Sequence, residues 1–125
     1  MKFIILLLFL IPSYAQAVYW ERVVTSQEGD VHFVDITSLL RIGDKQSFWR
    51  KINFPEKTID GELSSLSYHQ IDCANKKSII LHTNFYTEID NQGKKTDTIL
   101  TKNQDWKPVL PNTVNAVLLR YVCKR

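Results

Sequence analysis

Short apolar and polar runs alternate along most of this chain, and turn-forming residues separate them. Tyr19 to Ser26 reads as a first strand. Gln27-Glu28-Gly29-Asp30 reads as a turn in which Gly29 supplies a positive φ, and Val31 to Asp35 as the second strand. Ile36 to Leu40 fits a helical turn capped by Asp35. Arg41 to Lys45 reads as a loop, Gln46 to Phe54 as a third strand and Pro55 to Gly61 as a polar loop. Leu63 to Cys73 and Ser78 to Ile89 form the longest hairpin, joined around Asn75-Lys76. Asp90-Asn91-Gln92-Gly93 is a further turn, and Lys94 to Leu100 a sixth, weaker strand.

Residues 112 to 122 fit two periods. Val114, Val117, Leu118, Tyr121 and Val122 have helical spacing, with Asn112 or Thr113 as cap and Pro111 at the entry. Val117, Leu119, Tyr121 and Cys123 fit strand alternation as well, but eleven residues is long for a strand, which favours the helix. The pattern is that of an α+β fold, an antiparallel β-sheet of about six strands with a C-terminal helix.

The first seventeen residues follow a different logic. Lys2 is positive, Phe3 to Ile11 is an unbroken apolar run, Pro12 ends it, and Ala15-Gln16-Ala17 reads as a cleavage site. Nine apolar residues are too few for a bilayer, which needs about 20. Residues 1–17 therefore read as a signal peptide, with a mature chain over 18–125 as one domain. Losing Lys2 lowers the formal charge from +3 to +2, too small a surplus to imply a nucleic-acid partner. No later run is long enough for a membrane span, and no cysteine follows the cleavage site to carry a lipid anchor. The expected location is the periplasm, the cell surface or the medium.

Export gives the cysteines their meaning. Cys73 and Cys123, 50 positions apart, read as one disulfide that would tie the terminal helix to the fourth strand; two free thiols are the alternative. Histidines are few. If the long hairpin turned symmetrically about Asn75-Lys76, His69 would face His82 directly, close enough to share a metal, but no third ligand accompanies them. They remain weak metal candidates beside the plainer reading of two half-exposed side chains.

No G-x-S-x-G elbow surrounds Ser64, Ser65 or Ser67, no Gly-rich phosphate loop is present and the carboxylates are scattered, so neither an enzyme nor a cofactor is expected. Trp20, Trp49 and Trp106 are read as core fillers more readily than as binding anchors, with Trp106, beside Lys107-Pro108, the one most open to solvent. Lys76-Lys77 and Lys94-Lys95 sit at hairpin turns and, with Trp106, make the candidate binding surface. In a simple meander those two turns lie at opposite ends of the sheet, which argues against one shared patch.

Several residues together resemble a known family. They are Trp20 soon after the cleavage site, Phe33-Val34-Asp35 followed by Thr37-Ser38, then Arg41, Gly43 and Trp49. Asp72-Cys73, Tyr86, Trp106, Pro111 and Val122-Cys123 complete the set. In order and spacing the chain is similar to the bacterial surface-adhesin protein E family. The resemblance implies an antiparallel sheet with a C-terminal helix tied to it by a disulfide. It also implies non-enzymatic binding of host extracellular-matrix or serum proteins, although the lipid-anchor cysteine of the family's named member has no counterpart here. Unpaired strand edges would also favour a homodimer. A periplasmic envelope-protective or inhibitor module and a metal-handling protein are the alternatives.

Overall fold

A computed structural model describes residues 18–100 and 105–125; the expected signal peptide, residues 1–17, lies outside them. Among the described residues are eight strands and one helix: β1 Trp20–Thr25, β2 Val31–Asp35, β3 Leu40–Ile42, β4 Lys45–Asn53, β5 Ser64–Asp72, β6 Lys77–Tyr86, β7 Lys95–Leu100, β8 Lys107–Pro108 and α1 Val114–Cys123. All pair antiparallel in one sheet whose main path is β1-β2-β4-β5-β6-β7. This is the α+β layout expected, with the helix chosen over the strand for residues 112–122.

The local chemistry explains each corner. Between β1 and β2, Ser26 N–H donates to the Asp30 carbonyl at 2.8 Å, and Gly29 takes φ +97, which other residues adopt only with strain. Asp35 ends β2 and caps a 3-10 turn over Ile36–Ser38: one carboxylate oxygen accepts from Thr37 N–H at 3.0 Å and from the Thr37 hydroxyl at 2.6 Å.

The segment read as a loop at Arg41–Lys45 is instead largely strand. β3 pairs Leu40, Arg41 and Ile42 with Ser47, Gln46 and Lys45, so β2, the 3-10 turn and β3 run in succession along one side of β4. Between the two pairings, Trp49 N–H has no strand partner on that side and donates to the Ser38 hydroxyl at 2.9 Å. The three-residue strand carries no alternation of its own, which is why the sequence pattern missed it.

Strand alternation sends Gln46, Phe48 and Arg50 of β4 toward the helix and Ser47, Trp49 and Lys51 to the opposite face. The core lies on the helix side, where Val34, Phe48 and Ile71 of the sheet pack against Leu118 and Val122 of α1. None of the three tryptophans belongs to it; all are half-buried elsewhere.

Helix α1 starts where Thr113 accepts from Ala116 N–H at 3.2 Å. Its C-terminal end is also met from the sheet: the buried Gln46 amide donates to the carbonyls of Val122 and, just past the helix, Arg125, both at 3.0 Å. The Cys73–Cys123 bridge, with a Cα–Cα distance of 5.8 Å, fastens the same end. On the other face the turn Ile89–Asn91 folds back over β4 and β5. Asn53 and Asp90 exchange two hydrogen bonds of 2.8 Å, and Lys51 Nζ meets Asp90 at 2.9 Å.

Closing a 50-residue loop constrains the unfolded chain by roughly 4 kcal/mol in the chain-entropy treatment. The Cys73→Ser variant is therefore expected to melt more than about 10 °C below the parent, read by circular dichroism. An unchanged melting temperature would show that the bridge contributes nothing to stability.

Candidate functional site

The lysine pairs occupy opposite ends of the sheet. Lys76 and Lys77 stand at the β5–β6 turn, Lys94 and Lys95 at the entry to β7, and the ten residues of β6 separate them by about 30 Å. Trp106 joins the first pair. The short β8 sets Pro108 beside Lys77 and Lys107 beside Ser78, and this carries Trp106 to the Lys45 ammonium, 5.6 Å above its ring.

That end of the sheet thus carries Lys45, Lys76, Lys77 and Lys107, of which Lys45 lies over the half-buried Trp106 indole. Asp72 lies between Lys45 and Lys77 in the cross-strand row. Its oxygens are held by Asn75, through the backbone N–H and the side-chain amide both at 3.0 Å, and by Ala74 N–H at 3.1 Å. These hydrogen bonds, those from Asn75 foremost, hold its carboxyl below the usual range.

The two histidines singled out as a pair are not one. The turn from β5 to β6 spans four residues, pairing Asp72 with Lys77, and this moves the register two positions from a turn centred on Asn75-Lys76. A bulge then intervenes, so His69 faces Ile80 while His82 faces Tyr68. One extra residue sends the two imidazoles to opposite faces. His82 stands edge-on to Trp49, 6.3 Å between centroids, and Trp49 packs on Tyr68 at 4.9 Å. Among the described residues no cluster of three His, Cys, Asp or Glu side chains is placed to hold a metal ion.

His69 belongs to a cluster the sequence did not reveal. The Arg50 guanidinium, 6% exposed, lies between His32 and His69, which are 5% and 1% exposed. Arg50 Nε donates to His32 Nδ1 at 3.2 Å and Nη2 to the same atom at 2.5 Å. Its Nη1 reaches His69 Nε2 at 3.2 Å and donates to Asn115 Oδ1 of the helix at 3.5 Å.

An arginine has only donors, so both imidazoles must accept here, which requires them neutral. Burial, and then the Arg50 charge, lowers His32 to about 4 and places His69 well below its ordinary value. Burial also lowers Arg50 to about 10, which leaves it charged at neutral pH. With Nε2 accepting, His69 carries its proton on Nδ1, a buried atom without a hydrogen-bond partner among the described residues. The cluster buries a cation against neutral acceptors and locks β2, β4, β5 and α1 together. It has neither a nucleophile nor a free base open to a substrate.

The sheet also ends openly. β7 pairs only with β6 among the described residues, all six of its residues are exposed, and Ile99 and Leu100 are 51% and 63% exposed.

This arrangement has relatives. The model of the family described as surface-adhesin protein E matches residues 20–124. The chain belongs to the surface-adhesin protein E family. A search of curated proteins finds no significant match. Among solved structures, one of Haemophilus influenzae protein E superposes with a TM-score of 0.63 at 19% identity, covering 84% of this chain and 83% of that one. A structure of protein E from non-typeable Haemophilus influenzae gives 0.61 at 19% identity, covering 92% and 82%. A second crystal form of the protein gives 0.60 at 20%, covering 84% and 87%. At these identities the likeness is one of fold alone; the disulfide that ties the helix to the antiparallel sheet is a feature of this chain's own structure.

The buried imidazoles give this member of the family a definite acid response. Unfolded His32 takes up a proton near pH 6.5, whereas folded His32 resists until about 4. The unfolded state therefore binds more protons in between, and stability falls as pH drops through that window, by about 3 kcal/mol from His32 alone. In His32→Gln the side-chain carbonyl still accepts from Arg50 but does not titrate. Urea unfolding at pH 7 and pH 4 is expected to show a smaller loss in this variant than in the parent, by about that amount. An equal loss in both proteins would refute the account.

Proposed function

We infer that this chain is an exported, non-enzymatic binding protein that adheres to host extracellular-matrix or serum proteins. The observation that carries the reading is the exposed outer edge of β7. An unpaired edge offers a row of main-chain donors and acceptors to an extended partner segment, and alternate side chains supply selectivity. Ile99 and Leu100 give that edge an apolar contact, and Lys94 and Lys95 give its beginning a positive charge. The far end, with Lys76, Lys77 and Trp106, is a second contact suited to acidic partners.

Membership of a surface-adhesin family supports protein binding in general. Among the described residues no helix is long and apolar enough to cross a membrane. The same β7 edge would serve a homodimer, so one edge would serve either the host protein or a second copy.

The test uses the chain from Val18 onward over immobilised matrix and serum proteins, with protease accessibility on intact cells alongside. Saturable binding to at least one of them is expected. Ile99→Lys with Leu100→Lys should weaken it tenfold or more, because charges on an edge oppose strand addition. Binding that the β7 variant leaves intact would remove the edge from the site. A chain protected from protease in intact cells would overturn the adhesin role.

A further inference from the structure

A groove of about 380 Å3 opens beside α1, away from the β7 edge. Ala116, Leu119 and Arg120 of the helix form one wall. Val109 and Pro111, on the segment leading into the helix, and Lys76, at the β5–β6 turn, form the other. We propose that this groove binds a small amphipathic anion, a medium-length acyl chain bearing a free carboxylate.

The lining sets the chemistry. Four of its six residues are apolar and the remaining two are cations, with no acidic side chain among them. Lys76 and Arg120 take part in no ion pair or side-chain hydrogen bond among the described residues, so their charge is free for a ligand. Asp72, the carboxylate nearest to Lys76 along the chain, is occupied by Asn75 and Ala74. An apolar body in the groove with one anionic head between the two cations would satisfy both parts of the lining. A volume near the lower end of the usual small-molecule range, about 300–1,000 Å3, suits a short chain.

The walls are fixed before any ligand arrives. Cys73 and Cys123 each lie three residues from one of the two cations, and their bond joins the β5–β6 turn to the helix. Val109 N–H donates to the Lys76 carbonyl at 2.8 Å, and the Thr113 hydroxyl to the Leu110 carbonyl at 2.7 Å, which fastens the entering segment. A groove held in this way loses little freedom on binding, which favours affinity.

The probe is octanoate, titrated into the folded chain from Val18 and followed by amide chemical shifts, with 1-octanol and acetate in parallel. Saturable shifts at Val109, Ala116 and Leu119 are expected with octanoate, and at least tenfold weaker binding of octanol and acetate. Lys76→Gln with Arg120→Gln should weaken octanoate tenfold or more. Lys57→Gln, in the exposed loop at the far end of the sheet, should leave it unchanged. Both sites are exposed, so the variants are expected to keep the parent melting temperature, which is measured alongside.

Absence of octanoate binding, octanol binding as tight as octanoate, or an affinity untouched by the double variant would each overturn the proposal. The groove and the β7 edge are separate surfaces, so failure of either proposal leaves the other standing.

Discussion

A nine-residue strand with neighbours on both sides and neither face open needs two covers, and β4 draws them from distant parts of the chain. Its helix-side row, Gln46, Phe48 and Arg50, is closed by α1 from the last tenth of the sequence. On the opposite face Lys51, only 5% exposed, sits over the rings of Trp20 and Phe33 and pairs with Asp90 on the turn before β7. The cation there is held by aromatic faces and one carboxylate, and the helix-side cation by two imidazoles. Both faces of the central strand thus bury positive charge with local compensation, which an unpaired cation in the same place would lack at a cost of several kcal/mol.

The helix side is unusual in what it asks of its histidines. A buried arginine is more often met by a carboxylate. Here neutral acceptors do the work, and any proton added to them turns a hydrogen bond into a repulsion between like charges. The helix therefore depends on three different fastenings: apolar packing of Leu118 and Val122, the covalent link through Cys123, and polar contacts from Gln46 and Arg50. Only the last of these responds to acid, and only the second to reductant.

The surface left by this packing is divided. One sheet end is rich in lysine and carries Trp106, the β7 edge is open among the described residues and apolar only at Ile99 and Leu100, and the face opposite the helix carries half-buried aromatic side chains. None of these converges on a metal-ligand set among the described residues. Their dispersal fits a protein that meets partners through surface.

Much of the fold was legible from local pattern. The extent of β2, the Asp35 cap, the Gly29 turn and the paired cysteines all rest on contacts within a few residues, or on a count, so the chain states them directly, and it narrows the helix cap to Asn112 or Thr113, of which the structure uses Thr113. The binding candidates were legible as residues but not as a constellation. Trp106 is carried to the sheet end that holds Lys76 and Lys77 only by a two-residue strand, too short to show a period. The separation of His69 from His82 needed the four-residue turn and the bulge beside it, and a bulge has no signature in alternation because it is the point where alternation fails. Arg50 in mid-strand was the one local signal of the buried cluster, a charge at a position whose neighbours two away are apolar. By itself the sequence determined the longer strands, the terminal helix and the even count of its thiols, because the elements follow from short-range sterics and hydrogen bonding and the thiols from a count, whereas the short β3 and β8 escaped it. Tertiary structure alone decided which imidazoles accept from Arg50 and which face each side chain meets, because those depend on register across strands that the chain joins only after folding.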